Sequence, residues 1–432
     1  MRGLNYKGFL AAVAGLVLVL GVAACGGDDD DDGGGGEATL DLTIGDSIPL
    51  TGDLSDFGPP GEKASDLAVA QINSAIQQTG VDHTVKVVHE DNETAPQPAV
   101  QAARKMVDAD GATCITGAWA SSDTIPTAES VAIPGGILQI SPASTAPAIT
   151  DIDDDGLLNR TAPPDTFQAA TLAGAINEDL GAQGQTVNVG ARNDEYGTAF
   201  AENFRSEWEA LGGTIGQEVI YDPEQPSYNS EAQQITSGNP AAIVIIDFPD
   251  TFVKVGPALQ RTGNWDPAKA WGTDGLASSS LPEDVEAQII EGFRGTAPGA
   301  PEKGEAEQAF RTLYDSSDPR DVEAQTFDAQ QFDATLLCYL AAVAAGSTDG
   351  QDMADSLADI TAPGGTQYTW EQLPEMIEAL QNGDDIDYEG ASGSVNMNED
   401  GDATSEVYDT YVYRGGEFVV TEDLPIVAPQ GE

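Results

Sequence analysis

The feature that most constrains this chain is an alternation that runs, stops and starts again. Short apolar runs rich in β-branched residues take turns with stretches of helical periodicity. "LDLTIGDSIPL" reads as a strand. A helix then opens near Pro60 and Glu62, because Leu67, Ala68, Ile72 and Ile76 share one face of "EKASDLAVAQINSAI". "TVKVVHED", "ATCITGA" and "ILQIS" are further strands, with helices at "PAVQAARKMVDAD" and from near Ser122. Near "NRTAPPDTFQ" the pattern restarts. Its strands are "TVNVGARND", "TIGQEVIYD", "AAIVIIDFP", "KAWGTDG" and "EGFRGTAPG", with helices around Phe200–Leu211, Ser230–Ile235 and Phe252–Gln260. Helices follow at "EAEQAFRTLY", "AQQFDATLLCYLAAVAAG", "GQDMADSLADI" and "TWEQLPEMIEAL". The closing stretch alternates and turns at Asp400-Gly401 and Gly415-Gly416, as antiparallel strands do. Such alternation predicts an α/β fold of parallel sheets with helices on both faces. Two halves in 432 residues predict two lobes with a cleft between them.

The amino terminus reads as a processing signal. Arg2 and Lys7 precede an apolar run from Phe9 to Ala24, and "VAAC" ends at Cys25. The run is short of the ~20 residues a spanning helix needs, and the small residues before the cysteine resemble a bacterial lipobox. Residues 1–24 are therefore expected to be a signal peptide, with Cys25 the lipidated first residue of the mature chain. Residues 25–39, including "GGDDDDDGGGG", form a flexible, self-repelling tether. The protein is expected outside the cytoplasm, on the outer face of the cell membrane, and touching it only through the lipid. The 73 acidic residues against 17 basic ones give a net charge of −56, which repels nucleic acid and anionic headgroups. Cys114 and Cys338 remain; pairing and two buried free thiols are both open.

Catalytic signatures are sparse. Only two histidines occur, His83 and His89, six apart on one strand and so ~20 Å from each other, too far to share a metal. They read as ordinary strand-edge residues. No nucleophile elbow, zinc-protease or phosphate-loop motif is present, so an enzyme built on cleft carboxylates is a minor reading. "DIDDDGLLNRTA" and "NMNEDGDATSEV" resemble calcium loops, but position twelve is Ala162 in one and Val407 in the other. Both read as polar turns, and neither a metal nor a cofactor is expected.

The uncharged polar loops carry more. "GAWASSDT" follows one strand and brings Ser121 and Ser122; "ISPASTAP" follows the next and brings Ser141, Ser144 and Thr145. Hydroxyls and unpaired N–H groups converging at one sheet edge suit a carboxylate. Thr145 is also placed to cap a helix at Pro147, and these hydroxyls are expected to do both jobs. In the second half, "RNDEYG" supplies Tyr196 and "WGTDG" supplies Asp274, an acid suited to an ammonium. Donors on one lobe and an acid on the other fit a zwitterion held between them.

Several segments, in order, resemble the leucine/isoleucine/valine-binding family of ABC-importer substrate-binding proteins. They are "IPLTGDLSDFGPPGEKASDLAVAQIN", "ISPASTAPAITD", "NRTAPPDTFQAATLA", "NDEYGTAFAENFRSEWEALGG" and "ASGSVNMNEDGD". The resemblance implies the type I periplasmic-binding fold, two doubly wound parallel-sheet lobes joined by three crossover strands. It assigns residues 40–163 and 297–384 to the first lobe, and 164–296 and 385–432 to the second. It implies that Ser121, Ala143, Ser144, Thr145, Tyr196 and Asp274 hold the ligand's charged groups, and that Phe57 lines its side-chain pocket. An aromatic from the second lobe is expected near Thr251 or Phe252. The implied function is capture of a small, branched-chain type amino acid by hinge closure. The implied partners are that ligand and the permease subunits of an ABC importer, the binding protein itself being a monomer. A ligand sensor of the same fold, or a binder of an amide, urea or aromatic carboxylate, remains open.

Beside the open alternative of an ordinary acidic exported protein, the charge also suggests a high-salt habitat, where self-repulsion is screened. If so, stability should rise between low and molar salt, which thermal unfolding across a salt series measures; a flat or falling profile removes the idea.

Overall fold

Two parallel sheets wound by the same rule carry the fold. The computed structural model describes residues 39–299, 304–317, 322–405, 407–425 and 429; the signal segment, Cys25 and the Asp-rich tether fall outside them. The first sheet comprises β1 (Leu40–Ile48), β2 (His83–Asp91), β3 (Cys114–Gly117), β4 (Leu138–Ser141) and β5 (Leu158–Arg160). Its spatial order is β2-β1-β3-β4-β5, all parallel. The next five strands are β6 (Thr186–Arg192), β7 (Thr214–Tyr221), β8 (Ala242–Ile246), β9 (Ala270–Gly272) and β10 (Arg294–Gly299). They lie in the order β7-β6-β8-β9-β10, again parallel, so β6 takes the place of β1 and each later strand follows suit. In both sheets the winding reverses beside the first strand, which opens a crevice at the strands' carboxyl ends.

Helices cover these sheets. In the first lobe they are α1 (Gly58–Thr79), α2 (Pro96–Asp108) and α3 (Ser121–Thr127); in the second α4 (Asp165–Leu180), α5 (Glu195–Ala210), α6 (Asn229–Ile235) and α7 (Pro249–Arg261). The face expected of α1 is buried at Ala68, Ile72 and Ile76 and half-buried at Leu67. Helix α4 was not anticipated. Its buried stripe of Ala169, Leu172, Ala173 and Ile176 is half alanine, which weakens the periodic contrast a sequence shows.

After β10 the chain returns to the first lobe through α8 (Glu305–Ser316), α9 (Asp328–Ala345), α10 (Gly350–Thr361) and α11 (Leu373–Asn382). Helix α9 is apolar nearly all round because it packs between the first sheet, α1 and α10. A small sheet follows, ordered β11 (Thr366–Thr369), β12 (Ile386–Glu389), β13 (Ser394–Met397) and β14 (Ala403–Ser405). Residues 385–405, expected with the second lobe, instead put Ile386, Tyr388, Val395 and Met397 into the core that holds Leu42 and Ile44. The cause is Asp333 of α9. Its buried carboxylate accepts from Tyr388 Oη (2.7 Å), Ala391 N (2.9 Å), Ser392 N (2.8 Å) and Ser392 Oγ (2.6 Å), fastening that segment to α9. The chain then crosses a third time to lay the hairpin β15 (Val407–Arg414) and β16 (Glu417–Pro425) beside β10. Two doubly wound lobes joined by three crossovers are thus present, as expected. Among the described residues, no helix is long and apolar enough to cross a membrane.

Cys114 of β3 and Cys338 of α9 form a disulfide, with Cα atoms 6.0 Å apart and a sequence separation of 224, which resolves the open alternative. Cross-linking so long a loop restricts the unfolded chain, worth about 5 kcal/mol at most on a chain-entropy account. Cys338→Ala is therefore expected to cost roughly 2–5 kcal/mol. Urea midpoints of native protein and variant measure this, and coincident midpoints would show that the bridge adds nothing.

Candidate functional site

The crevices of the two sheets face each other, and the loops that leave them build the site. Strand β3 ends at Gly117, where φ is +104° and a Cβ would sit 2.2 Å from the Ser47 carbonyl oxygen, so only glycine fits. The loop after β3 and the loop after β4 are zipped together by hydroxyls. Ser141 Oγ donates to Ala118 O (2.7 Å), Ser144 Oγ to Trp119 O (3.0 Å), and Thr124 Oγ1 lies 2.7 Å from Ser144 Oγ. Ala146 N donates in turn to Ser121 Oγ (3.1 Å). The capping expectation fails here: neither α3 nor the short turn Pro147–Ile149 has a side-chain cap. The hydroxyls of Ser121, Thr124, Ser141 and Ser144 instead hold one loop to the other.

Arg160, at the end of β5, fixes this loop pair from behind. It is fully buried, and its Nη1 donates to Ala146 O (3.0 Å) and Ser144 O (3.4 Å). Its Nε meets Asp402 Oδ1 at 2.7 Å and its Nη2 meets Thr150 Oγ1 at 2.7 Å. Asp402 belongs to the second calcium-like stretch. That stretch is a polar turn, in which Asn398 Oδ1 accepts from Asp400 N and Asp402 N, and its aspartate serves the arginine. Sequence inspection missed the pair because its members are 242 residues apart.

The second lobe contributes through the equivalent strands. Asp194 caps α5 by accepting from Gly197 N (2.8 Å), which sets Tyr196 on the first turn. Tyr196 Oη donates to Asp274 Oδ1 (2.7 Å) and takes the Thr273 hydroxyl at 2.6 Å. Its ring stacks on Phe248, with centroids 5.4 Å apart and planes 15° off parallel. Asp274 lies on a short helical turn after β9, and burial pushes its pKa up to about 6. Beside it Asp165, the first residue of α4, is raised well above the carboxylate range by burial and by the Asp274 charge. Its backbone N–H donates to Thr145 O (2.8 Å). Both Asp165 carboxyl oxygens and the Thr145 hydroxyl are buried without a well-formed hydrogen bond.

Between the lobes lies a small cavity, with about 20 Å³ of room for the centre of a water molecule. Ser121, Ala143, Thr145 and Phe57 line it from the first lobe, and Tyr196 and Asp274 from the second, so six of the seven expected residues meet there. Ser144 does not line it; its hydroxyl supports the loop. Trp119, Phe248 and Phe327 complete the apolar wall. The aromatic expected near Thr251 or Phe252 is Phe248: Thr251 reaches Asp53, and Phe252 lies in the second lobe's core. The strand-end position directly after "IID" was the available signal. Phe327 had none, since a sequence gives no hint that its backbone takes φ +74° ahead of α9. Away from the cleft, Glu62, Asp66 and His89 bring ligand-type atoms within 4.8 Å of one another. Both His89 nitrogens are engaged there, by Asp46 (2.8 Å) and Asp66 (3.3 Å). Burial opposes its charge, yet those bonds raise its pKa to about 10, so a metal would have to displace a proton. His83 opens β2, the edge strand of the first sheet, as expected, and is buried against Tyr339 Oη (2.9 Å).

Two lobes of repeated topology closing on a largely apolar cavity with a few polar groups define a binding protein of the hinged, two-lobed class. The sequence model of the periplasmic binding protein family matches residues 41–413, and the chain belongs to that family. The kinship expected from the sequence segments is borne out at that level. Among its relatives, the chemotactic signal transduction system substrate-binding protein BasB of Halobacterium salinarum is 25% identical over 366 residues, covering 82% of this chain and 83% of that one. Among solved structures, the branched-chain amino acid transporter substrate-binding protein LivJ of Streptococcus pneumoniae, in complex with isoleucine, superposes with a TM-score of 0.72 at 20% identity. That match covers 89% of this chain and 99% of LivJ. A solute-binding protein of an ABC transporter from R. palustris, in complex with benzoate, does so with a TM-score of 0.69 at 16% identity, covering 90% and 98%.

Breaking the Arg160–Asp402 pair leaves the other ion buried alone, so Asp402→Ala should cost about 3–5 kcal/mol. Chemical unfolding checks this. A loss under about 1 kcal/mol would mean that the pair is solvated and does not brace the loop.

Proposed function

We propose that this protein captures a small amino acid between its lobes and presents it to the permease of an ABC importer. One observation carries the reading: a cavity walled by uncharged donors on the first lobe and by a buried acid with its tyrosine on the second. The ligand carboxylate takes the Ser121 and Thr145 hydroxyls and the backbone around Ala143. The ammonium pairs with Asp274, close to Tyr196 and to the second acid, Asp165. The side chain lies against Phe57, Trp119, Phe248 and Phe327, which suits a branched-chain residue. An aromatic carboxylate without an ammonium would leave the Asp274 carboxylate uncompensated, and for that reason the amino acid is preferred. The chain works as a monomer and catalyses no reaction. Lipid on Cys25 holds it to the outer face of the membrane, with residues 26–39 as tether.

Closure around the ligand removes water and strengthens each of these polar contacts. Closure shifts only as far as the ligand's preference for the shut form allows. A second reading has support in the likeness to BasB: the same capture could feed a chemotactic transducer. Co-purification with permease subunits or with a transducer separates the two.

Calorimetry with leucine, isoleucine, valine, glutamine, urea and benzoate tests the ligand class. An amino acid should bind, and Asp274→Ala should weaken it by roughly 2–5 kcal/mol. Unchanged affinity in that variant would remove Asp274 from the site. The pH dependence has a definite sign. An ammonium favours the ionised carboxylate, so affinity should hold above the raised pKa of Asp274, about 6, and fall as pH drops through it. Affinity that rises on acidification would point instead to an anionic ligand meeting protonated acids.

A further inference from the structure

One buried cation of the cleft region has no place in the binding scheme above. Arg192 ends β6, and its side chain is only 5% exposed. Its Nη2 donates at 3.0 Å to Asp53 Oδ2, in the β1–α1 loop of the opposite lobe. Its Nε pairs with Asp194, the cap of α5, and its Nη1 lies 3.7 Å from Asp247 at the end of β8. The guanidinium sits 3.6 Å over the Phe248 ring, and Phe248 stacks on Tyr196, which holds Asp274. One side chain therefore touches both the second-lobe wall of the cavity and the first lobe.

The partner loop is built to receive it. Thr51 bonds through N and Oγ1 to Asp91 (3.2 and 2.8 Å), and Leu54 N donates to Thr94 Oγ1 (3.1 Å). A Cβ on Gly52 would lie 2.1 Å from Glu93 O. Pinned this closely to the first lobe, the loop moves with it as a unit. Asp53 Oδ2 also accepts from Thr251 Oγ1 of α7 (3.1 Å), and Asp56 three residues on accepts from Ser278 Oγ (2.5 Å). The same loop sends Leu54 and Phe57 into the cavity.

We infer that Arg192 is the positioning residue of lobe closure, tying the Phe248–Tyr196 wall to the first lobe through Asp53 so that shaping the cavity and shutting the lobes are one event. Arginine suits the task because its flat, forked cation stacks on a ring while it pairs at its edge; lysine would pair but not stack. Asp53 is 26% exposed and returns to water when the lobes part, so the link is weak enough to open. The inference rests on reading the cleft as a ligand site that closes.

The test compares native protein with Asp53→Asn and Asp53→Glu, since a rim substitution leaves the core intact. Small-angle scattering without any ligand reads closure directly. Asp53→Asn should have the larger radius of gyration in low salt, molar NaCl should shrink that difference, and Asp53→Glu should restore the native value. Leucine calorimetry then reads the coupling, with about fivefold weaker binding for Asp53→Asn and recovery in Asp53→Glu. Identical radii for native protein and Asp53→Asn at low salt overturn the inference. Leucine and its analogues failing to bind either protein would sink the amino-acid reading alone, because the scattering still decides the role of Asp53.

Discussion

The molecule depends on one topological constraint, met twice. A parallel sheet wound outward in both directions from a single strand leaves its crevice at the carboxyl ends, where helix starts and loops supply free N–H groups. Here β1, β3 and β4 give the loops bearing Phe57, Ser121 and Thr145. Their counterparts β6, β8 and β9 give Tyr196, Phe248 and Asp274. The cavity is thus the meeting of two equivalent edges. What differs is chemistry, with neutral donors on one edge and an acid and aromatics on the other.

Electrostatics sharpen that division. The surface of so acidic a chain holds most of its carboxylates in water, but a few lie fully buried. Asp123, Asp165, Asp247, Asp274, Asp328 and Asp333 all have pKa values raised by burial. Their surroundings tell them apart. Asp333 is surrounded by four donors and acts as a rivet between α9 and the small sheet. Asp247 accepts from Tyr221 Oη (2.7 Å) and stands near Arg192. Asp165 has no such set of well-formed bonds, and sits beside Thr145 and Asp274, which line the cavity. A buried acid saturated with protein donors is structural, whereas one left short of them marks a place for a cation.

Bracing comes from residues that touch nothing in the cavity. Arg160 holds the carbonyls of Ser144 and Ala146, the Ser141 and Ser144 hydroxyls join the two first-lobe loops, and the disulfide ties β3 to α9 behind them. Groups that meet a small ligand must be held within fractions of an ångström, and short strands alone do not hold loops so closely. The long-range pairs Arg160–Asp402 and Cys114–Cys338 supply that rigidity.

Local order and the strand-end residues were legible in the chain itself. Strand–helix alternation depends on hydrophobic periods of two and of 3.6 residues, which sequence records directly. Residues such as Ser121, Thr145, Tyr196 and Asp274 stand out because they follow apolar strands. Small-residue stripes such as that of α4 lack contrast and pass unnoticed. Which lobe receives residues 385–405, which aromatic reaches the cavity, and where the hydroxyls spend their hydrogen bonds were decided only in three dimensions. Each of these depends on partners tens of residues away, Asp333 for Tyr388 and Ser392, Tyr196 for Phe248, Ala118 for Ser141. Periodicity fixes which face a residue shows; only packing determines what it meets there.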